Sequence, residues 1–191
     1  MSLLHWNYFL ALEQDVLKVS RYIELTEDNF GTYSTENARI LMTATQEVDV
    51  LAKQICQHFG DDSDSEGGYR EFIPKKFPEI SSLTVALPRF GLECQPYVNW
   101  ASKKTPDWWT ANNKVKHERH REFARASVSN VLNAICALFL MNLYYHDSIS
   151  KLDEIFPGPV LLAAVQLTES MVPTVMGLCP KFRMPPRRII T

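Results

Sequence analysis

The chain is poor in the residues that announce the commonest chemistries. Its four cysteines, Cys56, Cys94, Cys136 and Cys179, lie far apart with no CxxC pair. That spacing excludes a zinc knuckle or a compact disulfide framework, and buried thiols in a reducing cytoplasm are expected instead. The seven glycines form no phosphate-cradling motif. With 20 basic and 22 acidic residues the formal net charge is -2, which argues against a globally basic nucleic-acid binder and leaves room only for a local patch. Long apolar runs are missing too. "AICALFLMNLYY" is broken by Asn142 and preceded by Asn130 and Asn133, and its uninterrupted part is too short for a bilayer span, so it reads as a buried core helix. The first residues lack a basic start and soon carry Glu13, Asp15 and Lys18, unlike a secretory leader.

What is present fits one medium domain, 191 residues long and 46% hydrophobic, with a sizeable core. Over residues 4 to 25, Trp6, Phe9, Leu10, Val16, Leu17 and Ile23 recur at helical steps and predict an amphipathic helix. "TEDNFGTYSTEN" supplies a turn, with Ser34 as the N-cap of a second helix over about 35 to 59. Leu41, Ala44, Val48, Leu51, Ile55 and Phe59 form its core stripe. Glu47 and Asp49 flank that stripe about 200° apart. This helix alone therefore cannot present them as a catalytic pair, and two boundary carboxylates, paired with Lys or solvated, are the simpler reading.

"GDDSDSEGGYREF" imitates the opening of a calcium-binding EF-hand loop through Asp62, Asp64, Glu66 and Gly67. The closing glutamate position, however, is Ile73. An acidic surface loop over about 60–70 is expected, followed by an extended insertion over about 73–105 in which "SSLTVALPRFGLECQPYVNW" suits a short hairpin or an extended arm. Pro106 and Asp107 then open a stretch without proline or glycine until Pro157. One long helix over 107 to 145, straight or kinked and roughly 55 Å long, follows from that absence. Centred on Val128, its buried face holds Ala124, Val131, Leu132, Ile135, Phe139 and Leu143, and the same face continued backwards carries Arg121, His117 and Asn113. Cations in line with a hydrophobic stripe must line a cleft, meet a partner or project past the bundle. Trp108 and Trp109 read as packing anchors. The last residues, "CPKFRMPPRRIIT", predict an extended basic tail over about 180–191.

"YSTENARILMTATQEVDVLAKQIC", followed by "WWTANNKVKHERHREF" and "ASVSNVLNAICALFLM", resembles the helix pair of the HEPN superfamily over about half the chain. Many members of that superfamily are RNases of toxin–antitoxin and phage-defence systems. Their signature is an Arg, commonly followed by a polar residue, with a His four to six positions after the Arg. Asn113 matches the polar position and His117 the His, while Asn112 stands where the signature has Arg. The resemblance implies an all-α bundle of four to five helices, often a homodimer with the motif at its interface, acting on RNA without metal or other cofactor. It implies His117 as proton carrier, Asn113 orienting phosphate, and Lys114, Lys116 or Arg121 replacing the missing cation, with Glu47 orienting it. An antitoxin or other protein partner is implied as well. The alternative is a dimeric interaction module that kept the fold and lost the nuclease Arg.

Overall fold

The computed structural model describes residues 3–150, 155 and 157–164; the expected basic tail lies outside them. The architecture is a helical bundle, the fold class expected, with a small three-stranded sheet. Helix α1 (Leu4–Val19) buries Trp6, Phe9, Leu12, Val16 and Val19 and stops six residues short of its expected end. Helix α2 (Thr35–His58) matches its expected span closely and buries the stripe from Ile40 to Cys56. The Ser34 side chain accepts the Asn37 N–H at 3.0 Å, satisfying one donor that the first helical turn leaves unpaired. At the other end, Gly60 takes a left-handed φ of 78°. Its N–H donates to Gln57 O while that of Asp61 donates to Cys56 O, the paired closure that glycine permits. Replacing Ser34 with alanine is expected to cost about 1 kcal/mol, visible as a lower urea midpoint at unchanged slope.

Two expectations are corrected between residues 60 and 105. Helix α3 (Glu66–Lys76) begins inside the expected acidic loop and runs through the start of the expected extended insertion. Pro74 removes only one hydrogen bond near its C-terminal end, while Tyr69 and Ile73 are buried. Glu66 is buried as well, and its carboxylate accepts from Trp100 Nε1 at 3.1 Å, Thr105 Oγ1 at 2.9 Å and Arg70 Nη1 at 3.0 Å. The expected hairpin is present as β1 (Val85–Leu87) and β2 (Leu92–Cys94), antiparallel with Val85 opposite Cys94. A third strand, β3 (Ala163–Ala164), pairs with the other edge of β1.

The single long helix is also corrected. The chain folds instead as α4 (Asp107–Glu122), a 3-10 turn over Phe123–Arg125, and α5 (Val128–Tyr145). Inside α4, Glu118 leaves helical geometry at φ -128°, ψ 33°. Neither glycine nor proline causes the break, because the loop before α2 competes for the backbone. Val128 N–H donates to Thr32 O and Ser129 N–H to Phe30 O, Tyr33 forms a bridge with Ser127, and the Ser127 side chain caps α5 by accepting the Asn130 N–H. Long-range hydrogen bonds thus satisfy the amides that a continuous helix would have used.

Helix α5 is buried on nearly every side and runs through the core beside α2. It continues into a π-helical turn, His146–Ser150, and within Val128–Ser150 an 18-residue stretch reaches a mean hydropathy of 1.4, enough by length and composition for a membrane span. Its side chains are used in the bundle interior, with 78% of that stretch buried. Cys56, Cys94 and Cys136 are buried free thiols, as expected, and Cys179 lies outside the described residues. The returning chain is pinned to α1, where Trp6 Nε1 donates to Pro157 O at 2.8 Å and Glu13 accepts the N–H groups of Val160, Leu161 and Leu162.

Candidate functional site

Breaking the long helix resets the angular phase on which the shared face depended. On α4 the buried residues are Trp108, Trp109, Ala111, Asn112 and Val115. At about 100° per residue, Asn113 and His117 fall on the other side, while Arg121 lies beyond the break in helical geometry at Glu118, where that phase no longer applies; all three are exposed and none continues the stripe of α5. Ala124, assigned to that stripe, is exposed too. Trp108 is an anchor whose indole N–H donates to Pro96 O at 2.8 Å.

The five candidate residues do not converge. Lys114 is held by Glu118 at 2.8 Å in an i, i+4 pair, a contact that also draws the Glu118 carboxyl below its ordinary pKa, through the hydrogen bond first and the charge second. Glu47 points away from α4 toward α1, where its carboxylate lies 2.5 Å from His5 Nδ1. It is the boundary carboxylate read from its place on the wheel, with His5 as partner. His117 and Arg121 enter no ion pair among the described residues. Arg119, on the opposite side of α4, leans its guanidinium on the Met42 sulfur of α2. The last turns of α4 expose Lys116, His117, Arg119, His120 and Arg121, basic residues spread around the helix on a chain of net negative charge.

A cleft of about 590 Å³ lies between α2 and α4. Met42, Gln46 and Asp49 form one wall at i, i+4 and i+7; Trp109, Asn112 or Asn113, and Lys116 repeat the same spacing on the other. Of the expected site residues only Asn113 belongs to it. Asp49 and Lys116 enter no ion pair among the described residues. Behind Asp49, the Tyr69 hydroxyl is buried, and burial first, then the Asp49 carboxylate, pushes its pKa up. Position on the helical wheel had placed Asp49 at the edge of the stripe, but the facing wall is invisible until α4 is separated from α5.

A second polar cluster escaped the sequence reading altogether. His146 is 2% exposed, and neither ring nitrogen has a hydrogen-bond partner. It packs edge-on to Trp6 and Tyr145, and burial first, then nearby His5, holds its pKa down at about 4. Its only sequence signal was a histidine closing an apolar run. Among the described residues no group of three or more His, Cys, Asp or Glu side chains is placed to hold a metal ion. Compared with protein families, curated proteins and solved structures, the chain matches none.

Proposed function

We propose that the protein is a HEPN-like helical toxin or defence component that binds RNA along α4 and cleaves it without a metal, as a homodimer. The observation that carries this reading is the exposure of His117 and Arg121 in the last turns of α4, neither of them tied up in an ion pair among the described residues, on the helix that also forms one wall of a polar cleft. Imidazole is the side chain whose ordinary titration range brackets neutrality, which suits it to move protons in both directions. In the proposed reaction His117 takes the ribose 2′-OH proton as that oxygen attacks phosphorus. The P–O5′ bond breaks, and the 5′ oxygen leaves with a proton from His117 of a second copy, giving a 2′,3′-cyclic phosphate and a 5′-OH. Arg121 stabilises the charge that gathers on the phosphoryl oxygens, and Asn113 orients them. A two-fold dimer supplies acid and base from one sequence position.

With mixed RNA and a chelator present, the parent is expected to cleave. His117→Ala should lose at least about a hundredfold in rate, and Arg119→Ala should retain activity, all three with equal melting temperatures. Light scattering should show a dimer. A second reading, a non-catalytic dimeric interaction module, is favoured by two specific contacts: Lys114 is occupied by Glu118 and Glu47 by His5. It takes over if parent and His117→Ala are equally inactive while the dimer persists.

A further inference from the structure

We propose that the cleft between α2 and α4 is a base-reading pocket that receives guanine from single-stranded RNA, with Asp49 as its specificity-determining residue; this rests on the RNA reading of α4. The volume, about 590 Å³, accommodates one nucleotide. Its walls combine the apolar Trp109 and Met42 with the side-chain amides of Gln46, Asn112 and Asn113, the hydroxyls of Thr43 and Thr45, one carboxylate and one ammonium. Apolar walls with a few placed polar groups are what a small-molecule site needs.

The carboxylate determines which base fits. Asp49 is acceptor-only when ionised, offering two oxygens side by side. Guanine alone among the four bases carries two adjacent donors, N1–H and the N2 amino group, on its pairing edge. Adenine and cytosine each place a ring-nitrogen lone pair beside their amino donor, and uracil flanks its single N–H with two carbonyls. Against a half-buried carboxylate each of these leaves an oxygen facing a lone pair, and a site built to pair a polar group rejects the base that lacks it. Lys116 at the rim is the phosphate contact.

The spacing joins the pocket to the proposed chemistry. Asn113, in the cleft, and His117, outside it, are one helical turn apart, about 6 Å along α4 at 1.5 Å per residue. Because His117 lies outside the cleft, a strand whose base is seated against Asp49 reaches it by passing Lys116 at the rim, so that the pocket selects a nucleotide close to the cut.

The test measures binding apart from cleavage, using short 2′-O-methyl oligonucleotides, which lack the attacking hydroxyl. Five-nucleotide uridine strands carrying a central guanosine, adenosine or inosine are titrated by fluorescence anisotropy. The parent should prefer guanosine over adenosine by roughly tenfold or more, the effect of a well-placed bidentate contact, with inosine, which lacks the N2 amino group, in between. Asp49→Asn should bring all three within about twofold, and Lys116→Ala should weaken all three alike. Equal affinities in the parent, or a guanosine preference that survives in Asp49→Asn, overturn the proposal. Guanosine preference without any cleavage of ordinary RNA leaves the pocket standing and removes the nuclease. Cleavage with no base preference does the reverse, and no binding to any strand removes both.

Discussion

Glu66→Ala is expected to destabilise the protein by about 3–5 kcal/mol, the cost of removing one partner from a buried ion pair. The carboxylate is 8% exposed and joins three separate segments, through Arg70 one turn on in α3, Trp100 in the turn before α4 and Thr105 at its entrance. Without it, a guanidinium that already has one buried unpaired nitrogen, Nε, keeps only the Thr105 hydroxyl as acceptor and loses its charge partner, while the Trp100 indole N–H loses its acceptor. Each such loss costs more than the intact bond contributes. Glu66→Gln, which keeps an acceptor but not the charge, should fall between parent and alanine. Chemical denaturation measures all three, and a loss under about 1 kcal/mol for alanine would show that the carboxylate ties nothing together.

Acid should open the other end of the bundle. The His146 pKa, near 6.5 when unfolded, is held at about 4 in the fold, so between those values the unfolded chain binds the proton and the folded one does not. The sign follows directly: the stabilisation is present above pH 6.5 and is lost as pH falls toward 4. The full window corresponds to about 3 kcal/mol at 1.36 kcal/mol per pKa unit. Glu13 and Asp147 act in the opposite sense, since burial raises both carboxyls and their contribution falls as pH rises. The His146 share is therefore read as the difference between the stability curves of parent and His146→Leu. Parallel curves from pH 7 to 4 would show that the ring finds a proton acceptor inside the fold.

What was legible in the sequence was local. The Ser34 cap and the stripe from Leu41 to Ile55 gave α2 almost to the residue, because capping chemistry and helical period are both written in adjacent positions. The hairpin at Pro88 to Gly91 was legible for the same reason. The break between α4 and α5 was not, since nothing in "HREFARASVS" interrupts a helix by itself; the carbonyls of Phe30 and Thr32, about a hundred residues earlier, do so. Projecting Val128's face back to His117 failed for that one reason, and the departure of Glu118 from helical geometry separates Arg121 from Asn113 and His117 as well. Glu66 was misread because an acidic, glycine-containing run looks solvated until Trp100 and Thr105 arrive to bury it. The cleft needed two helices in register, which no single periodicity reveals.

The strap that Glu13 holds has a consequence for how the molecule is made. Helix α1 is made well before the amides of Val160, Leu161 and Leu162 that its Glu13 carboxylate binds. At 5–20 residues per second, roughly 7 to 30 s separate the two. Throughout that interval Glu13 has no amide to bind, Trp6 has no carbonyl from Pro157, and β1 lacks its outer neighbour. Loop closure over nearly the whole chain is then the step that completes α1 docking, so the native state is reached by contacts of high sequence separation rather than by the early pairing of α1 with α2. A nascent chain arrested before Pro157 should thus hold α2, α4 and α5 together while α1 remains open to protease.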